Sequence, residues 1–345
     1  MSNDKLFSYI VEGRAHAGIV AFKSWIDSSE NYYRFVSENS DKIRRKFRGA
    51  KTDEDLIDVI YELELAFNMV CTDGYEVEYE KYGHKIGRSP DFTVTSRSGM
   101  KFNIEVKRIR EGAIGVKYNN LIDDIVEQIH PIQSMLAFSV TVEDFDLNQD
   151  FVNRFEVART AILNFIKDKI RLEDKRLSLD ETVSYELPGF EDEISIILSK
   201  PKGKLDHNKT SYHGGSFPIF YTQKESNKFG DAIFEKVGQM VPGSINIIVI
   251  VSNSSTHEKE DFQDAILSIK ELVRDRNESF FVKKGFRDIN DFLSQAENLS
   301  GVLFKSSWSS LSNPGNYLWC NQNASLKIPD EIRPFLTGLG KSREI

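Results

Sequence analysis

The chain has 345 residues, 40% of them apolar and 28% charged, with a formal net charge of −8. That length suits one large domain or two modest ones, and no apolar run reaches the roughly eighteen residues of a membrane-spanning helix. Bulk acidity argues against a general polyanion binder. Only two cysteines, Cys71 and Cys320, are present, which excludes a disulfide framework and a four-cysteine zinc site and points to a reducing, cytoplasmic compartment.

Met1-Ser2-Asn3-Asp4-Lys5 lacks the signal-peptide pattern of an apolar stretch behind a basic one. Residues 5–48 read as helical, with Phe22, Trp25, Tyr32, Tyr33 and Phe35 at helical spacings, and predict a helical packing layer over 1–51. Thr52-Asp53-Glu54-Asp55 is a helix start, with Thr52 or Asp53 as cap. Leu56, Val59, Ile60, Leu63, Phe67 and Val70 continue that helix to Asp73-Gly74. Tyr75–Tyr79, Ser89–Thr95 and Lys101–Arg108 read as strands, the last two joined through a Ser98-Gly99 turn. A helix over 118–129 and a strand over 135–142 follow, then a charged amphipathic helix over 151–180 that reads as an insertion. Further on come a strand at 193–198, a loop over 200–217 and a helix at 230–240. Ile245–Val251 is a near-continuous apolar run, expected in a central strand covered on both faces. A helix at 258–275, a strand at 300–304 and a short helix at 329–336 close the series. The strands near 245 and 300 are expected to extend the first sheet rather than found a second domain.

The chemistry concentrates at Asp91, Glu105 and Lys107. They lie at the ends of two short strands whose other residues, Phe92, Val94, Phe102, Ile104 and Val106, are apolar. Charges on buried strands are costly unless something binds them. Two carboxylates offer hard oxygens to a divalent cation such as Mg²⁺, and a lysine can orient a water or offset charge on a phosphate. The alternative is an ordinary hairpin with a solvated Glu-x-Lys face, since residues 105 and 107 point the same way. Basic runs occur at Lys42-Arg44-Arg45-Lys46-Arg48, at Lys107-Arg108-Arg110 and at Lys200-Lys202-Lys204-Lys209. Runs of this kind are commonly solvated faces. His84 and His130 have no acid or serine partner at a recognisable spacing, and no G-x-S-x-G elbow, Walker A sequence or dinucleotide fingerprint is present.

Pro90-Asp91 and Glu105-Val106-Lys107 together resemble the PD-(D/E)XK nuclease superfamily, the restriction-endonuclease-like fold. The resemblance covers about residues 52–142. It implies an α/β fold with an αβββαβ core and a mixed central sheet over 52–145, extended over 146–345 by helical insertions and C-terminal strands. It implies a Mg²⁺-dependent endonuclease, with Mn²⁺ able to substitute, that hydrolyses phosphodiester bonds of DNA. Asp91 and Glu105 would hold the metal with the Val106 carbonyl, Lys107 would position or deprotonate the water, and Glu62 would join from the first core helix, where Glu64 competes for the same role. Gln128, on the helix after the lysine strand, is a weaker candidate for facing the site. The implied partner is nucleic acid, with a homodimer or a partner protein in addition and no membrane. The competing expectation is a non-catalytic nucleic-acid-binding or assembly subunit on the same fold. An enzyme acting on RNA, or waiting for a partner, is a third.

Overall fold

The structure is a computed structural model that describes residues 1–82, 90–110, 113–142, 149–202, 211–212, 223–252, 257, 259–306 and 316–339. His84, Ser89, Lys204 and Lys209 lie outside the described residues.

Four helices open the chain: α1 (Asn3–Val11), α2 (Ala17–Ser28), α3 (Glu30–Glu38) and α4 (Ser40–Gly49). The longer α5 (Asp53–Val70) starts at Thr52, whose hydroxyl accepts from the Asp55 N–H while the Asp55 carboxylate accepts from the Thr52 N–H. This reciprocal cap satisfies two otherwise orphaned donors. Strands β1 (Tyr75–Tyr79), β2 (Phe92–Ser96) and β3 (Lys101–Arg108) come next. They are followed by α6 (Ala113–Ile129), β4 (Ala137–Val142), α7 (Gln149–Arg176), β5 (Thr182–Glu186), β6 (Ile194–Ser199) and β7 (Ser211–Tyr212). The chain continues through α8 (Gln223–Val237), β8 (Ile245–Ser252), α9 (Lys259–Arg274), α10 (Glu278–Lys283) and α11 (Ile289–Ala296). It closes with β9 (Gly301–Ser306), β10 (Asn316–Cys320) and α12 (Arg333–Gly338). Among the described residues, no helix is long and apolar enough to cross a membrane.

These elements form two units, one of Met1–Arg110 with Ser226–Ile345, the other of Glu111–Glu225. The first holds a six-stranded mixed sheet in the order β1-β2-β3-β8-β9-β10. Strands β3, β8 and β9 run parallel, and the outer pairings are antiparallel. Strand β8 is buried on both faces. Ile247, Val249 and Val251 pack with α5 and the N-terminal helices, and Ile248 and Ile250 pack with Phe229 and Ile233 of α8 and Phe262 of α9. Each such side chain contributes about 1.5–3 kcal/mol by leaving water. The side chain of Arg108, only 3% exposed, ties the end of β3 to Glu54 and Asp58 of α5.

The helix at 118–129 and the strand at 135–142 do not complete this sheet, contrary to the expectation from the sequence. Strand β4 pairs with β6 and β7 in a separate four-stranded sheet, ordered β5-β6-β4-β7, inside the second unit. The helix and strand that follow β3 in the first unit are α8 and β8. The burial pattern explains the difference: β6 alternates buried and half-buried residues, as a strand with one covered face does, and β4 follows suit from Phe138 to Thr141. Strand β8, by contrast, has the two-sided apolar character that a central parallel strand needs. The extension placed at 146–345 is likewise divided: β8, β9 and β10 join the first sheet, whereas α7, β5, β6 and β7 belong to the second unit.

Candidate functional site

Antiparallel pairing sets Phe92 against Ile104, which brings Asp91 opposite Glu105. The Asp91 N–H donates to Glu105 Oε2 at 3.3 Å, and the Val106 N–H donates to Asp91 Oδ2 at 2.9 Å. Val106 thus meets Asp91 through its amide. Glu62, on α5, accepts from the Tyr79 hydroxyl at 2.5 Å and from Lys46 Nζ at 2.6 Å. The same ammonium lies 3.5 Å from Asp91 Oδ1 and 3.2 Å from Glu80 Oε1. On the far side, Lys236 of α8 donates to Glu105 Oε1 at 2.5 Å. Asp91, Glu105 and Glu62 therefore form one electrostatic cluster with two lysines.

Lys107 stands apart from the cluster. It shares a face of β3 with Glu105 but pairs with Glu235 of α8 at 2.6 Å. Glu64 pairs with Lys305 of β9 at 2.8 Å, which leaves Glu62 as the α5 carboxylate that reaches the cluster. Gln128 belongs to the second unit, is exposed and donates to Asp124 at 3.4 Å. No motif or spacing in the sequence marks Lys236, Lys46 or Glu80 as a site residue. Lys46 carried a partial signal, because it sits three residues after buried Ile43 and next to buried Phe47, at the inner edge of α4.

The basic runs are largely consumed internally. Arg44 and Arg48 bind Glu12, and Lys42 donates to the Tyr79 carbonyl at 2.6 Å. Arg110 binds Asp55 and Asp58, beside the pairs that Arg108 makes with Glu54 and Asp58. Lys200 donates to the Asp174 carbonyl at 2.9 Å, and Lys202 pairs with Asp180. Arg45 of the first run remains exposed.

Burial, and then the charge of Asp91, push the Glu62 carboxyl up to about 7, and the same two causes do so for Glu105. Burial opposes the Lys46 ammonium, but the charges of Glu62 and Asp91 outweigh it and raise the group above its ordinary value. Lys236 is raised in the same way by Glu105 and Asp91. Both glutamates bind protons more tightly folded than unfolded, so their contribution favours the fold at low pH and is lost as pH climbs toward about 7. The lysines stay charged throughout that window. Glu12, Asp55 and Asp291, held down to about 2, act only at more acidic pH. Thermal melts in chelator should therefore show the midpoint falling between about pH 5 and pH 7.5. A midpoint that rises across this window would contradict this balance of charges.

Three hard carboxylate donors, two of them resisting ionisation, suit Mg²⁺ or Mn²⁺ in their chemistry. Among the described residues, no group of three or more His, Cys, Asp or Glu side chains is arranged to hold a metal ion. Lys46 and Lys236 are the cations that these carboxylates now face. A largely apolar cavity of about 500 Å³, lined by Val237, Ile266, Phe292 and Trp319, lies elsewhere in the unit, and none of the cluster carboxylates borders it. No protein-family model, curated protein or solved structure matches the chain.

Proposed function

We propose that the protein is a metal-dependent nuclease that hydrolyses phosphodiester bonds of DNA. The observation that carries this reading is the facing of Asp91 and Glu105 across β2 and β3, with Glu62 joined to them through Lys46. The order α5-β1-β2-β3-α8-β8 supports it. That is the helix–three strands–helix–strand order of the PD-(D/E)XK nucleases, with the second unit set in the chain after β3 and ending within the first turn of α8.

Asp91, Glu105 and Glu62 would hold Mg²⁺. The cation would supply Lewis acidity toward the phosphoryl oxygens and an acidified water as nucleophile. The chain's own part is positioning and charge. The Val106 amide fixes the Asp91 carboxylate, and Lys236 fixes Glu105. Among the described residues, Lys107 pairs with Glu235, which is 53% exposed. Such a solvent-screened pair costs little to break, so the Lys107 ammonium is available to the negative charge that builds up at phosphorus.

A second reading, a non-catalytic nucleic-acid-binding subunit, draws on the same lysines, which neutralise the carboxylates as a structural ion-pair network would. The assay that separates the two uses purified protein with plasmid, linear duplex, single strands and RNA, in Mg²⁺, Mn²⁺ or EDTA. The nuclease reading expects DNA cutting with either metal and none in EDTA. Binding without cutting on every substrate would favour the subunit.

A further inference from the structure

Lys46 is placed unlike the other basic residues of α4. Its ammonium meets Glu62 from α5 at 2.6 Å, Glu80 beyond the end of β1 at 3.2 Å and Asp91 before β2 at 3.5 Å. It also sits 5.1 Å from the centre of the Tyr79 ring, whose hydroxyl donates to the same Glu62 oxygen. One ammonium thus holds together carboxylates from α5, from the segment after β1 and from the segment before β2. A structural ion pair needs a single partner; here the negative charges outnumber the positive one. A divalent cation answers that imbalance better than an ammonium does, because it brings twice the charge and accepts several oxygens at closer range. Both cannot sit against the same oxygens.

Resting on the nuclease reading, we infer that Lys46 is a positioning residue that keeps Glu62 and Asp91 assembled and is exchanged for the divalent cation, so that α4 sets the metal affinity of the site. Metal binding then releases the Lys46 ammonium on the side of the cluster formed by α4. Removing the ammonium deletes a competitor and strengthens metal binding. Arginine keeps the charge and should preserve the wild-type affinity. A lysine that served the fold alone would give the opposite sign, since its loss would loosen the carboxylates and weaken binding.

The test is Mn²⁺ titration without nucleic acid, followed by calorimetry, on wild type, Lys46→Met and Lys46→Arg. The expected result is at least about five-fold tighter binding by Lys46→Met and near-wild-type binding by Lys46→Arg, a coupling of the size that linked sites commonly show. Equal or weaker binding by Lys46→Met overturns the inference. If Lys46→Met does not fold, amine labelling of the wild-type protein with mass-spectrometric readout decides. Labelling of Lys46 should rise several-fold on Mn²⁺ addition, and unchanged or reduced labelling overturns the exchange. A protein that cuts DNA and binds Mn²⁺ with no change at Lys46 loses this inference alone. A protein that binds no Mn²⁺ in any form loses the nuclease reading with it.

Discussion

Asp91→Asn is expected to lower metal-dependent DNA cleavage by at least about 100-fold while leaving the fold as stable as wild type or more so. The loss of activity follows from removing a charged oxygen donor at the centre of the cluster. The stability sign is less obvious. Asparagine keeps an oxygen that can accept from the Val106 N–H, so that bond to the side chain is retained. The Asp91 charge helps push up both Glu62 and Glu105, and its removal lets both ionise more easily in the fold. The fall of the melting midpoint between about pH 5 and pH 7.5 should therefore flatten in this variant. Initial rates on plasmid and melts across that window check both halves. Near-wild-type cutting would remove Asp91 from the site, and a collapse in stability would show that its role is structural.

Asn246→Leu is expected to cost roughly 3–5 kcal/mol of stability, read by urea denaturation. Asn246 is 1% exposed at the start of β8. Its amide donates to the carbonyls of Val241 and Asn298 at 2.8 Å and of Ser244 at 2.9 Å. Its oxygen accepts from the Asn103 side chain of β3 at 3.0 Å and from the Val241 N–H at 3.2 Å. Leucine fills similar space and leaves those groups buried without partners, each at about 1–3 kcal/mol. The bond to Asn103 also pins β8 in register beside β3, the strand that carries Glu105. A cost below about 1 kcal/mol would mean that hydrophobic burial alone sets this register.

The sequence made legible what is local. The Thr52 cap, the β1–β3 hairpins and the apolar run of β8 each carry their signal within a few residues. The pairing of Asp91 with Glu105 was legible because one short turn fixes the register between them. What escaped depends on distant partners. After β3 the chain leaves the first sheet for a unit of its own, and a helix followed by a strand looks alike whether or not it returns. Strand β5 was missed, its alternation Thr182-Val183-Ser184-Tyr185-Glu186 being mostly polar. Lys236 lies 131 residues from Glu105, so no spacing rule connects them. The basic run around Lys46 reads as a solvated face, yet Ile43 and Phe47 turn α4 so that Lys46 points inward to carboxylates.

The most direct measurement of metal binding at the carboxylate cluster is anomalous diffraction from crystals soaked in Mn²⁺. The expected result is a manganese peak within bonding distance of both the Asp91 and Glu105 carboxylates, with Lys46 withdrawn from Asp91. Crystals soaked at neutral pH that show Lys46 and Lys236 still seated on these carboxylates, and no manganese between them, would contradict a metal-dependent nuclease centred on this pair.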